Sequence, residues 1–258
     1  MPLIEYRDVT VMRGGTVALD SLTLSIGEGE HVAVIGHNGS GKSTLVKTIT
    51  RECYPQQRGP GSWLRILERD TWNVFDLRCL LGIVSNDLLQ TCTQPYSGLE
   101  IVLSGFFSSV GIWPNHHVTQ EMRDKAGEVL RRLEISHLAK RRMTEMSSGE
   151  ARRILIARAL VHDPTALVLD EPTNSLDLRA QRELREMLRN ISRAGTSLIM
   201  VTHHLPDIIP EIERVILLKD GRVFSDGPKR QVLDAAVLSS LFDMPLELIT
   251  RDGYYHLL

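Results

Sequence analysis

The run His31-Val32-Ala33-Val34-Ile35-Gly36-His37-Asn38-Gly39-Ser40-Gly41-Lys42-Ser43-Thr44-Leu45-Val46-Lys47-Thr48-Ile49-Thr50 decides the fold. Its first five residues read as a short, mostly apolar strand. Residues 44–50 put Leu45, Val46 and Ile49 on one helical face. The order is strand, glycine-rich loop, helix. Gly36-x-x-x-x-Gly41-Lys42-Ser43 matches a phosphate-binding loop in full, in the context that pattern requires. Its glycines let backbone N–H groups curl inward around phosphate, and the helix start adds the positive end of a dipole. Lys42 can reach the outer phosphates, and the Ser43 hydroxyl can ligate Mg²⁺. Asn38, Gly39, Ser40 and Thr44 complete the nucleotide-facing loop, with His37 as a solvent-facing filler of its variable part.

Working outward, residues 4–11 and 22–26 read as strands around Gly14-Gly15. Residues 54–62 have loop chemistry, and 63–67 and 81–85 read as strands. From about residue 86 to 145 strand signals fade, and 120–138 is amphipathic at helical spacing. Residues 151–161 read as helix, 166–169 as a buried strand, 178–192 as an amphipathic helix and 197–201 as a strand. Lys219-Asp220-Gly221 turns a hairpin between 215–218 and 222–224, before a helix-like tail from Pro228 and a last segment at 246–258. This alternation predicts an α/β fold without internal repeats.

The chain has 258 residues, with 30 Lys plus Arg against 32 Asp plus Glu and a net charge of −2, which argues against a nucleic-acid partner. Hydrophobic residues at 42% and charged residues at 24% exclude bulk disorder. No apolar run reaches the roughly 18 residues of a membrane span. The start MPLIEYRD lacks a basic stretch followed by an apolar run, so no secretory signal is expected. Cys53, Cys79 and Cys92 form no Cys-x-x-Cys pair and read as reduced thiols of a cytosolic protein.

Leu167-Val168-Leu169-Asp170-Glu171 is an apolar strand ending in two carboxylates. Asp170 suits a Mg²⁺ shell, and Glu171 suits a base that polarises water for attack on a γ-phosphorus. Alone this pair is weak evidence. Beside the phosphate loop it points to an enzyme.

Met146-Ser147-Ser148-Gly149-Glu150 precedes the helix at 151–161. Ser147 and Gly149 there offer a hydroxyl, a closely approachable backbone and a dipole to an anion, and they also read as an ordinary helix cap. With Asp163-Pro164, Ser175-Leu176-Asp177 and Val201-Thr202-His203 following in order, the chain resembles the nucleotide-binding subunits of ABC transporters over essentially its whole length. The resemblance implies a P-loop NTPase (ABC ATPase) fold as a single domain over residues 1–258. A RecA-like core with an N-terminal antiparallel β-subdomain would take 1–85 and 150–258, and an inserted α-helical subdomain with the signature would take 86–149. It implies ATP and Mg²⁺ as ligands, Asp177 in the D-loop, and His203 hydrogen-bonding the γ-phosphate and fixing water near Glu171. Ser147, Ser148, Gly149 and Glu150 would form the signature. With one phosphate loop in the chain, they would cover ATP held by a second copy in a head-to-tail dimer.

Several positions depart from the family pattern. Met146, Ser148 and Glu150 stand where the family has Leu, Gly and Gln. Glu150 would weaken phosphate contacts unless it turns to ribose or to an arginine. Asn86 stands where the Q-loop glutamine falls. It keeps an amide oxygen for Mg²⁺ one methylene short, so slower turnover or a shifted loop is expected. Arg13 stands near the place of the adenine-stacking aromatic, as a stacking guanidinium or as a plain surface residue.

The aromatic run from Leu103 to Trp113 fits a docking groove or the insertion's own core. The pairs Arg131-Arg132 and Arg152-Arg153, and Lys140-Arg141-Arg142, read as solvated helix faces. The C-terminal stretch, Leu238 to Phe242 and then Leu246 to Tyr255, resembles a subgroup of importer ATPases that serve iron chelates, cobalamin or molybdate-type oxoanions. The expectation is an ATPase subunit peripheral to the cytoplasmic face of the cell membrane. Its partners would be integral membrane subunits and, through the complex, an extracytoplasmic substrate-binding protein. The alternatives are an ABC ATPase without a membrane partner, acting in repair, translation or regulation, and a nucleotide-dependent interaction module.

Overall fold

The computed structural model describes every residue except Gln57, Arg58, Pro60 and Leu258, so the parts of the predicted 54–62 loop and of the final segment that fall on those positions lie outside the described residues. In chain order the first elements are β1 (Pro2–Arg13), β2 (Thr16–Gly27), β3 (Val32–Ile35), α1 (Lys42–Ile49) and β4 (Trp63–Ile66). Then come α2 (Val74–Leu80), β5 (Leu81–Val84), α3 (Asn86–Cys92), α4 (Gly98–Ser104), α5 (Gln120–Arg132), α6 (Ser148–Leu160), β6 (Ala166–Asp170) and α7 (Leu178–Arg193). The chain closes with β7 (Ser197–Thr202), β8 (Arg214–Lys219), β9 (Arg222–Pro228), α8 (Lys229–Val232), α9 (Ala235–Phe242), β10 (Leu248–Arg251) and β11 (Tyr254–Leu257). The described residues form two compact units, Met1–Val74 with Ser197–Leu258, and Phe75–Thr196.

In the first unit, β1 pairs antiparallel with β2 on one side and β4 on the other. Both hairpin strands run longer than their sequence pattern. Gly14 and Gly15 at φ 55° and 84° supply the tight turn that carries pairing out to Arg13 opposite Thr16. Register irregularities at four points break the inside–outside alternation and hide the added length. Strand β3 lies between parallel β7 and β8, with β9 antiparallel on β8. All four β3 residues are buried, which is why that strand reads as an unbroken apolar run. Strands β10 and β11 pair with each other.

In the second unit, β5 and β6 are parallel neighbours. Helix α6 packs against β5 and against α4, α5 and α7. The compact units part at Val74/Phe75 and Thr196/Ser197, so α6, β6 and α7 fall in one unit with the segment 86–149. Helices α2, α3 and α4 are seven residues each, too short for a 3.6-residue period to declare itself in sequence. Ser85 and Ser97 cap α3 and α4. Helix α5 ends earlier than its apolar pattern, because Glu134 turns to φ 59° and a 3-10 turn carries Leu138 into the core. The aromatic run divides: Leu103 is buried, Phe106 and Phe107 are half-buried with Phe107 stacked on His116 at 4.2 Å, and Trp113 is 54% exposed. Among the described residues no helix is long and apolar enough to cross a membrane. Cys53 and Cys79 are half-buried free thiols and Cys92 is a buried one.

Candidate active site

The phosphate loop leaves the C-terminal end of β3, in the first unit. Open α/β sheets bind ligands at such strand ends. Gly41 takes φ 104°, and a Cβ there would stand 2.6 Å from the Ala18 carbonyl oxygen, so no other residue fits this bend. The Lys42 side chain is 5% exposed and folds back across the loop. Its Nζ donates to the carbonyls of Gly36 at 2.7 Å and His37 at 3.0 Å. The ammonium is thereby held at the mouth of the loop rather than in bulk solvent. Ser43 is exposed in the first turn of α1, while Thr44 points into the core. Asn38 and Gly39 are exposed, and His37 stands 3.9 Å from Asp220. The buried Ser40 Oγ has no hydrogen-bond partner among the described residues.

The register Ile35 opposite Thr202 brings His203 to the same end of the sheet as Gly36. Both residues follow the last paired position of adjacent parallel strands. Thr202 donates to Asp207 at 3.0 Å and accepts from the His204 N–H at 3.0 Å, which fixes the backbone where His203 emerges. His203 and His204 are both exposed, with their rings edge to face at 6.0 Å. Arg13 is exposed at the tip of the β1–β2 hairpin.

The second unit holds the acidic pair. Asp170 is the last residue of β6, and Glu171 follows at φ 50°. A left-handed backbone costs a non-glycine residue about 1–2 kcal/mol, so neighbouring groups must hold Glu171 there. The register Val84 opposite Leu169 puts Ser85 and Asn86 beside Asp170 and Glu171 at adjacent strand ends. The Asn86 Oδ1 that was expected to face Mg²⁺ accepts from Arg152 Nη2 at 2.7 Å. The expectation that Arg152 lies on a solvated face is corrected here: it is 3% exposed, because α6 is covered by its neighbours on most sides.

Ser147 is the N-cap of α6. Its Oγ accepts from the Glu150 N–H at 3.3 Å, and its own N–H donates to the Glu150 carboxylate at 2.8 Å. Arg141 Nη1 donates to the other Glu150 oxygen at 2.6 Å and Nη2 to the Glu145 carbonyl at 2.7 Å. Glu150 thus turns to its own helix start and to an arginine. Burial pushes the Glu150 carboxyl up, but the Ser147 bonds and the Arg141 guanidinium outweigh it and hold the group below its ordinary value. Ser147 and Ser148 are exposed, and Ser148 Oγ donates to the Ser175 carbonyl at 3.4 Å. A Cβ on Gly149 would stand 2.8 Å from the Ala180 Cβ, so this glycine also allows α6 and α7 to approach. Asp177 caps α7 through the Ala180 N–H at 2.8 Å. A cleft of about 300 Å³ runs past Ser147, Glu150, Arg153 and Asp177.

Sequence reasoning missed Arg141 and Arg152 as members of these clusters. Each stands in a run of basic residues with no period to mark the inward one.

The profile of the family described as ABC transporter matches residues 19–174. The chain is 31% identical to the hemin import ATP-binding protein HmuV of Nitrobacter winogradskyi, over 99% of this chain and 91% of that one. The structure of cbiO1 from Clostridium perfringens, part of the ABC transporter complex cbiONQ, superposes with a TM-score of 0.77 at 26% identity, covering 93% of both chains. The dimeric ATP-binding cassette MJ0796 bound to ADP and Pi gives 0.70 at 27% identity, covering 87% of this chain and 98% of that one. The chain therefore belongs to the ABC transporter family, as an ATP-hydrolysing ATP-binding domain with the P-loop NTPase fold.

Proposed function

We propose that this chain energises an ABC importer of a metal chelate or oxoanion from the cytoplasmic face of the membrane, as a peripheral subunit. The complete phosphate loop carries the reading, sharing a sheet end with His203 through the Ile35–Thr202 register. Its backbone N–H groups and Lys42 hold the phosphates of ATP, and Arg13 stacks on adenine. Oxygen donors at Ser43 and Asp170 suit Mg²⁺, a hard cation usually held by one or two carboxylates plus phosphate oxygens. Held by Ser43 and Asp170, Mg²⁺ would supply charge neutralisation to the outer phosphates. Glu171 accepts a proton from water as the water oxygen attacks the γ-phosphorus, and ADP leaves. His203 holds the γ-phosphate.

The second half of the site comes from another copy, arranged head to tail, whose Ser147 and Gly149 reach the phosphate across the interface. MJ0796 is dimeric, which supports pairing with a second copy. The likeness to the hemin import protein supports an importer of a metal chelate. Residues 86–149 are the inserted segment that meets the membrane subunits.

Glu171→Gln is expected to keep ATP binding, to accumulate as an ATP-bound dimer on size exclusion, and to lose about 10²–10⁴-fold in turnover. Normal turnover in that variant would remove Glu171 from the chemistry. Purification from membranes tests the transport reading: an integral membrane protein is expected to accompany the chain in stoichiometric amount. Its absence would favour an ATPase acting alone.

A further inference from the structure

The guanidinium of Arg152 is a buried junction inside the second unit. It extends from the first turns of α6 and meets acceptors from two strand ends. Nη1 donates to the carbonyls of Glu171 at 2.7 Å and Pro172 at 2.5 Å. Nη2 donates to Asn86 Oδ1 at 2.7 Å. The first two acceptors follow β6, and the third opens α3 just beyond β5. A planar guanidinium presents its N–H groups in a rigid fork, so three such bonds fix relative positions and not merely proximity. Lysine has one ammonium and cannot span all three acceptors with the same geometry. The Glu171 backbone held by this fork is also the one at φ 50°, a conformation that persists only where surrounding contacts over-determine it.

We propose that Arg152 is a positioning residue for ATP hydrolysis. It clamps the two peptide groups on either side of Pro172, Glu171–Pro172 and Pro172–Thr173, and so sets where the Glu171 carboxylate points. Through its third bond it makes that setting depend on Asn86. A displacement of the start of α3 changes the Asn86 bond to the guanidinium, and the Glu171 backbone feels the change. Arg152 itself touches neither ATP nor water in this assignment. The inference rests on the reading of Glu171 as the group that polarises water.

The test uses the full chain carrying Arg152→Ala, Arg152→Lys or, as a control, Glu171→Gln. ATP dissociation constants, kcat and melting temperature are measured on each. The clamp predicts that Arg152→Ala binds ATP within a few-fold of the parent while kcat falls about 100-fold, the scale expected when a reacting group is misplaced by an ångström. Arg152→Lys keeps the charge and stem, and is expected to recover part of that loss. A protein that only needs Arg152 to fold would show a lower melting temperature with normal kcat per folded molecule, and that result overturns the clamp. Equal losses of ATP affinity and kcat overturn it as well. Should the alanine variant fail to fold, Arg152→Lys carries the test alone: unchanged kcat refutes the clamp, and a roughly tenfold loss at unchanged ATP affinity sustains it. The control separates the two readings. If Glu171→Gln turns over normally, the role of Glu171 falls. If Glu171→Gln is inactive while both Arg152 variants match the parent, only the clamp falls.

Discussion

Helices α1 and α6 both begin where nucleotide phosphate is proposed to sit, and they are built in opposite ways. Helix α1 starts after Gly41 in a left-handed conformation, with no side-chain cap and no acid in its first turn. The first N–H groups of such a helix are left for an external anion. Helix α6 starts at Ser147 with a closed capping box, and the Glu150 carboxylate occupies the Ser147 N–H. A bare helix start is an unfinished structure that phosphate completes. A capped one is already complete, and what it still offers is the Ser147 hydroxyl and the dipole. Its carboxylate would also repel phosphate were Arg141 not pinned to it at 2.6 Å. The difference matches the two tasks proposed for them: one helix start would hold the phosphates, and the other would add a lighter contact from a second copy.

The comparison can be broken from either side. The largest effect is expected at α1. Lys42→Ala removes the one ammonium folded across the loop, and ATP affinity should fall about 10–100-fold, the worth of hydrogen bonds to a charged group. Equilibrium titration with ATP would read this, and an unaltered affinity would show that the backbone cradle suffices alone. At α6 the effects are smaller. Glu150→Gln keeps an acceptor for the Ser147 N–H and deletes the negative charge. The apparent KM for ATP should drop about 2–5-fold, as expected for one charge at a helix end. Arg141→Ala leaves that charge without its guanidinium and should move KM the other way by a similar factor. If both variants match the parent in steady-state kinetics, the carboxylate has no bearing on the nucleotide.

The smallest effect concerns acid. The folded-state carboxyl of Glu150 lies below its ordinary 4.5. Its contribution to the cap is therefore present above that value and is lost as pH falls through the lower, folded-state value. Melting curves taken from neutral pH downward should show the parent losing more stability than Glu150→Gln in the window at and below 4.5. Parallel curves would mean that Glu150 and its partners contribute nothing to α6.

Much of this contrast was legible along the chain. The phosphate loop is local: glycine positions, one lysine and one serine sit in ten residues between a strand and a helix, and the backbone geometry follows from them. The acidic pair ends an apolar strand that is buried throughout up to Asp170. The β1–β2 hairpin was half legible, because its turn is written in Gly14-Gly15 while its bulges erase the strand period. Helices α2, α3 and α4 were not legible, since each spans under two turns. The arginines were least legible. Arg152 and Arg153 are neighbours of the same chemistry, yet only Arg152 is fully buried, and α6 has too little polar face for its period to say which residue points inward.

The sequence by itself therefore determined the chemistry that depends on near neighbours: the phosphate cradle, the strand-terminal carboxylates, the serine at the start of α6, and through their order the family. Only the tertiary structure decided what depends on residues far apart in the chain. Strand register brings His203 beside Gly36, and packing around α6 turns Arg152 onto Glu171, Pro172 and Asn86. The reason is physical. A backbone turn or helix start is fixed by residues within hydrogen-bonding reach along the chain. The direction of a long cationic side chain is fixed by whichever carbonyls and carboxylates the fold carries to it.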